Sequence, residues 1–280
     1  MTAEPVAEIL TVGTEILLGE IVDTNARHIG RRLRDVGINV YRTATVGDNR
    51  ARIAAAIQSA ADRSELVVVT GGLGPTVDDV TREAAADAAG VDLQFDEALW
   101  SDILYRFRSV GREPTANNRR QAHLPQGAAP VANPVGTAPG FSLSVGSRTL
   151  VVCLPGVPSE MEAMLSATVI PELAQRFPQA SPIHVRLVRT IGMAESEIDT
   201  RLGRLLDSAN PTVGLAARAG MVDVRIAAKA PTDAQADALI RPVETAVKER
   251  LGAAVFGRDG DLPGQVLRQR LADRSEEHTS

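Results

Sequence analysis

Hydrophobic residues follow two spacings that alternate through the first 90 residues. Val6 to Val12 reads as a buried strand ended by Gly13. Thr24 to Asp35 has helical spacing, with Ile29 and Leu33 four apart, Asp23 or Thr24 as N-cap, and Gly37 closing the helix. Asn39 to Val46 predicts a second strand, followed by a turn at Gly47-Asp48-Asn49. Arg50 to Ala61 predicts a helix with Ile53 and Ile57 on one face. Leu66 to Thr70 has no polar alternation, which marks a strand covered on both faces, as in parallel sheets. Gly71 to Thr76 is then a loop, and Asp78 to Ala89 a helix whose first turn holds Asp78 and Asp79. Alternating strands and helices predict a doubly wound, mostly parallel α/β domain, with ligands expected beyond the carboxyl ends of its strands.

The pattern changes further on. Pro125 to Gly146 is rich in Gly, Pro, Asn and Thr, and reads as loops with a short hairpin around Phe141–Val145. Leu150 to Leu154 predicts another buried strand, and Ser159 to Leu173 a helix that breaks near Pro171. A linker at Pro178–Pro182 leads into strand His184–Thr190, helix Ala194–Leu206, strand Val222–Ala228 and helix Asp233–Leu251. This second set predicts a small α+β domain.

Composition removes several classes of function. The chain has 280 residues and a net charge of −5, from 35 acids against 30 bases. With no basic surplus and only 3% aromatic residues, nucleic-acid binding is not expected. The single cysteine, Cys153, allows no intrachain disulfide, and the four histidines are scattered without zinc-ligand spacing. No secretory signal precedes the first strand, and no apolar run approaches the roughly 20 residues of a membrane helix. A soluble, cytoplasmic protein is expected.

The sharpest chemical signal is Thr70-Gly-Gly-Leu-Gly-Pro-Thr-Val-Asp-Asp-Val-Thr-Arg-Glu83, a glycine-rich turn between a buried strand and a helix. Gly71, Gly72 and Gly74 permit close backbone approach, and a helix start favours phosphate. The spacing is neither a Walker loop nor GxGxxG, so the turn by itself is also compatible with a plain tight connection. Asp78 and Asp79 add to the signal. They either complement the helix dipole or, beside a phosphate, hold a hard divalent cation. Glu15, in Gly13-Thr14-Glu15, offers a carboxylate to a metal or a sugar hydroxyl, or is a solvated helix-start acid. Asp48 is a metal ligand or base, or a turn residue bonding its own backbone. All four acids fall at the same predicted sheet edge. The loops Asn133–Gly140, with Gly136 and Thr137, and Leu154–Met161, with Pro155, Gly156 and Ser159, either grip a nucleotide or pterin or are stiff connections. Asn117-Asn118-Arg119-Arg120 is the basic cluster nearest to this edge, on a face that reads as solvated.

Together Gly13-Thr-Glu15, Asp23-Thr-Asn25, Gly47-Asp-Asn49, Thr70 to Thr81, Asn117-Asn118, Asn133 to Gly140 and Leu154 to Met161 resemble the CinA (competence/damage-inducible) family. The first domain of that family is similar to the molybdopterin-binding domains of molybdenum-cofactor biosynthesis. The likeness covers roughly residues 6–175. Ile191–Asp199 and Val222–Ile226 resemble the KH-like middle region more loosely. The resemblance implies domains at 1–175 and 182–256. It also implies a metal-dependent pyrophosphatase acting on ADP-ribose, with cobalt or magnesium and with potassium as a further candidate, in a homodimer. Asp48, Asp79 and Glu15 are then the catalytic acids, and Asp48, Asp78 and Asp79 the metal ligands. Thr14, Thr70, Gly71, Gly72, Gly74, Pro75, Thr76, Asn133, Gly136, Thr137, Pro155, Gly156 and Ser159 line the substrate. Asp48 and Asp79 fall where molybdopterin adenylyltransferases carry essential acids, so a pterin adenylyltransferase is the alternative enzyme, and a nucleotide-sensing module the non-catalytic one. Residues 257–273 look like the opening of the family's nicotinamide-mononucleotide deamidase domain, and Arg274–Ser280 like translated sequencing adapter, so a truncated chain without deamidase activity is expected.

Overall fold

The computed structural model describes residues 4–218 and 220–277. It divides into two compact units, residues 1–180 and 181–280.

The first unit opens with β1 (Val6–Val12), a short turn of helix α1 (Thr14–Leu17), α2 (Thr24–Asp35), β2 (Asn39–Val46), α3 (Arg50–Ala61), β3 (Leu66–Thr70) and α4 (Thr81–Ala89). Then come β4 (Leu93–Phe95), α5 (Glu97–Ser109), a 3-10 segment at Ala116–Ala122, β5 (His123–Pro125), β6 (Ala129–Val131), β7 (Gly140–Val145) and β8 (Thr149–Leu154). Helices α6 (Pro158–Met164) and α7 (Ile170–Arg176) complete it. Six strands form one sheet in the order β2-β1-β3-β8-β7-β6. The first four are parallel, β7 runs antiparallel to them, and β6, antiparallel to β7, runs in their direction again.

The apolar run of β3 explains the three layers. Alternate side chains point to opposite faces of a strand. Val67 and Val69 pack with Ile53, Ile57, Ala84 and Ala85 of α3 and α4 on one face. Leu66 and Val68 pack with Ile29, Leu33, Met161 and Met164 of α2 and α6 on the other. All five β3 residues are buried. The sheet register carries Val12 beside Val46 and Thr70 beside Leu154. Gly13, Gly47, Gly71 and Pro155 therefore leave the sheet at one edge. The chain steps from β1 to β2 and back across β1 to β3, which makes this edge the topological switch point where ligands collect in such sheets.

Several elements differ from the sequence expectation. Helix α4 begins at Thr81, three residues after Asp78, so Asp78 and Asp79 lie in the loop before the helix and Glu83 is the acid of its first turn. The cause is local. Asp79 accepts from the Thr76 amide at 2.8 Å and from its hydroxyl at 2.5 Å, which closes a turn of its own. The break expected near Pro171 falls earlier, as a π turn over Leu165–Val169, because Pro171 has no N–H to donate and the widened turn absorbs the loss. Phe141–Val145 is no isolated hairpin. It is β7 of the main sheet, paired with β8 and β6. Helix α5 was not anticipated, although Asp96 caps it from two amides and Ile103 anchors it.

The second unit contains β9 (Ile183–Ile191), α8 (Glu195–Leu202), β10 (Thr212–Arg218), β11 (Met221–Lys229), α9 (Asp233–Leu251), β12 (Val255–Arg258) and α10 (Pro263–Glu277). Its antiparallel sheet runs β10-β11-β9-β12 over a core of Val188, Val224, Ile226, Ile198, Ile240 and Val247. Strands β10 and β12 were not expected, and the 194–206 helix ends at Leu202 in a 3-10 turn. Of the tail read as adapter-like, residues 278–280 lie outside the described residues, and the backbone of 274–277 continues α10. Among the described residues no helix is long and apolar enough to cross a membrane.

Candidate functional site

A cleft of about 440 Å³ opens at the switch-point edge. Of the residues singled out in the sequence, Glu15, Asp48, Gly71, Gly72, Gly74, Pro75, Asp78, Asp79, Thr137, Pro155 and Gly156 line it.

The glycine loop forms its floor. Four successive carbonyls of this loop are turned inward. The Thr81 hydroxyl donates to Gly71 O at 2.8 Å and the Thr81 amide to Gly72 O at 3.2 Å. The Arg82 guanidinium donates to Leu73 O and Gly74 O, both at 2.7 Å. Arg82 is buried, with 1% of its surface exposed. Burial lowers its pKa, partly offset by the nearby charges of Glu83 and Asp79. With the carbonyls bound from behind, the amides of Gly72, Leu73 and Gly74 have no acceptor among the described residues. Three consecutive amides without a protein acceptor, on a cleft-lining loop, are a donor set of the kind that suits an anion. Glycine is required at Gly71, where φ is +107° and a Cβ would lie 2.1 Å from Val12 O. Gly156 presses on the same turn from the β8 loop, so close that a Cβ there would meet the Gly71 Cα at 3.3 Å. Asn25 ties the two loops by donating to the Thr70 hydroxyl at 3.0 Å and to Gly156 O at 2.8 Å.

The rim is acidic. Asp48 accepts from the Thr14 amide at 2.8 Å, and the Thr14 hydroxyl accepts from the Asp48 amide at 3.2 Å, which locks the β1 and β2 loops together. Glu15 folds back toward Gly13, where an added Cβ would be 2.7 Å from its carboxylate. Glu160, which the sequence reading passed over, also lines the cleft, as does Gln121. Glu160 accepts from Asn133 Nδ2 at 2.6 Å, and Asn133 Oδ1 accepts from the Val135 and Gly136 amides. A Glu two residues after a Gly-Val-Pro turn is the signal that would have found it. Among the described residues, Glu15, Asp48, Asp78, Asp79 and Glu160 line the cleft, and none of the lining residues is Lys, Arg or His.

The other expected site residues stand behind or beside the cleft. Thr70 is buried and donates to Pro155 O at 2.9 Å. Thr14 and Thr76 hold Asp48 and Asp79. Asn133 shapes the loop that carries Gly136 and Thr137, and these three residues also border a smaller apolar recess of about 150 Å³ beside α5. Ser159 is exposed in the first turn of α6, outside the cleft lining. Arg120 does not lie on a free solvated face as expected. It donates to Thr76 O at 2.9 Å and pairs with Glu83 at 3.0 Å, so it braces the acidic loop. Asp48, Asp78 and Asp79 were expected to be metal ligands. Among the described residues, no three His, Cys, Asp or Glu side chains converge closely enough to hold an ion unaided.

The fold and this cleft define the class. Residues 8–175 match the family model described as "Probable molybdopterin binding domain". Residues 185–257 match the model of the "Damage-inducible protein CinA KH domain", and the chain belongs to the CinA family. It is 45% identical to a CinA-like protein of Frankia casuarinae, over 93% of this chain and 62% of that protein. It is 42% identical to a CinA-like protein of Microcystis aeruginosa, over 94% of this chain and 64% of that one. The chain thus spans less than two thirds of the length of these relatives. The crystal structure of the protein CinA from Thermoplasma acidophilum aligns with a TM-score of 0.54 at 42% identity, covering 59% of this chain and 96% of that one.

Proposed function

We propose that the cleft hydrolyses the pyrophosphate of ADP-ribose with the help of a divalent cation, cobalt or magnesium. One observation carries this reading: a cradle of free backbone amides ringed by five carboxylates and no basic side chain. The amides suit phosphate oxygens. The carboxylates repel the same oxygens, and the repulsion becomes attraction once a hard cation lies between them.

The donor set fits such an ion. With no three-carboxylate cage, one or two of Asp48, Asp78 and Glu15 would hold it, and phosphate oxygens and water would complete its shell, as magnesium prefers. When bound, the ion supplies charge neutralisation and Lewis acidity. The chain's own residues do the rest. The amides of Gly72, Leu73 and Gly74 hold one phosphoryl group. Asp79, fixed through Thr76, orients a water and accepts its proton. Water oxygen bonds to phosphorus, the P–O–P bridge breaks, and AMP and ribose 5-phosphate leave. The recess beside α5, which shares Thr137 with the cleft, gives the organic part of a nucleotide an apolar wall.

Incubating the chain with ADP-ribose, with and without cobalt or magnesium, tests the reading through AMP release. Metal-dependent AMP supports it. Thermal stabilisation by ADP-ribose without AMP would replace it with a nucleotide-binding module. Adenylyl transfer from ATP to a molybdopterin acceptor, with ADP-ribose left intact, would replace it with pterin chemistry.

A further inference from the structure

A second recess, of about 410 Å³, lies between α2 and α6 and shares no lining residue with the acidic cleft. It is formed by Thr24, Arg27, His28, Arg31, Arg32 and Asp35 of α2 and by Glu162 of α6. The α2 positions fall at i, i+3, i+4, i+7, i+8 and i+11, which is one continuous face of a helix. The other face carries Asn25, Ile29 and Leu33 into the core. The helix is therefore amphipathic in an unusual sense, because its outer stripe is cationic within a chain of net charge −5.

The polar groups of this recess are only partly used. His28 Nδ1 pairs with Glu162 at 3.2 Å, and Arg32 reaches Asp35 at 3.7 Å. Yet His28 Nε2 and Arg32 Nε are shielded from solvent and have no partner among the described residues. Arg27 and Arg31 have no ion-pair partner among the described residues, while Asp35 is already engaged by Arg34 at 2.6 Å. Buried polar nitrogens are almost always satisfied, and two orphans on residues that line one recess point to a missing acceptor. Beside two unpaired guanidinium groups that acceptor is anionic, and planar guanidinium forks match phosphate oxygens.

We propose that this recess is a second ligand site that binds the phosphate group of a small solute. A phosphate seated in the recess accepts first from the exposed guanidinium groups of Arg27 and Arg31, and a turn of the His28 and Arg32 side chains brings their shielded nitrogens within its reach.

Isothermal titration of the full chain with inorganic phosphate, and separately with phenyl phosphate, at ionic strength held constant with chloride, tests the proposal. Saturable binding of both probes is expected, with each displacing the other. Tighter binding of phenyl phosphate would identify the natural ligand as a phosphate ester, and tighter binding of phosphate would identify the free ion. The double variant Arg27→Gln/Arg31→Gln changes exposed side chains only, and should keep the wild-type thermal midpoint while weakening binding about tenfold or more. Arg32→Lys keeps the charge but lacks the Nε donor, and should weaken binding to a smaller extent. Equal affinity in the wild type and the double variant, or heats no larger than those of chloride, would overturn the proposal.

Discussion

Arg82 shows how one side chain organises the site. Its guanidinium spans two carbonyls of the glycine loop from a buried position, and so frees the loop's amides. A lysine has the charge but not the fork, and leaves a buried carbonyl without a donor. Arg82→Lys should cost roughly 1–3 kcal/mol in urea denaturation, and should weaken ADP-ribose binding because the cradle loses its backing. Two glycine variants separate strain from function. Gly71→Ala combines a φ of +107° with a Cβ 2.1 Å from Val12 O, so backbone must move. Its penalty should exceed the roughly 1–3 kcal/mol of the strained dihedral alone, read as a lower thermal midpoint. Gly74→Ala would meet only the Asp79 carboxylate, at 2.5 Å. That side chain can swing away, so the variant should melt near the wild type and lose AMP release. The glycines and Asp48, Asp78 and Asp79 were legible in the sequence because such residues rarely cluster without reason. Arg82 was not, because an arginine in a helical pattern looks like a solvated position, and only tertiary contacts reveal that it is enclosed. Glu160 does carry a local signal in the Gly-Val-Pro turn before it, but its partner Asn133 lies 27 residues away and only the fold brings the two together.

At the level of elements, legibility followed the strength of the local pattern. Strands β1, β2 and β3 and helices α2, α3 and α9 lie where hydrophobic spacing and caps put them. The β3 strand is readable as doubly covered because its four residues Leu66 to Val69 are all apolar, with no polar alternation. Strand β12 and the short β6 carry too few residues for a period, and they are strands only because β9 and β7 accept them at their edges. The sequence pattern puts the start of α4 three residues early, because Asp78 and Asp79 imitate a helix start but belong to the turn that Thr76 and Asp79 close. In the second unit, Glu244 of α9 is almost enclosed. Burial opposes its ionisation, but hydrogen bonds from Arg186 and Lys248 outweigh this and leave its pKa below the ordinary glutamate value. A depressed carboxylate pKa adds stability above the unfolded value of about 4.3 and loses it as pH falls through the folded value. Hydrogen-exchange protection of β9 and β11 should therefore decline on acidification below about pH 4. In Glu244→Gln that protection should start lower at neutral pH and decline less with acid. An unchanged acid profile in the variant would assign the loss to other groups.

On the scale of the molecule, every residue lining the acidic cleft lies between Val12 and Glu160, inside the first compact unit. That unit has its own two-sided core, so a fragment of residues 1–180 should fold cooperatively and keep the hydrolytic activity per molecule. A fragment that folds but is inactive would mean that the second unit contributes to the reaction. The linker expected at Pro178–Pro182 coincides with the boundary between units, and it was legible because prolines and polar residues interrupt both hydrophobic periods there. In the proposed reaction the acids at the sheet edge use a cation to cleave a phosphoric anhydride. The most direct test compares initial rates of AMP release from ADP-ribose for the wild type, Asp48→Asn and Asp79→Asn across a magnesium or cobalt titration. In Asp79→Asn an amide oxygen can still accept from Thr76, so folding should be unaffected. Metal-dependent release by the wild type, with each variant slower by about 10²–10⁴-fold at an unchanged thermal midpoint, is the predicted result. Release at the wild-type rate by either folded variant, or release indifferent to the metal, would contradict the account.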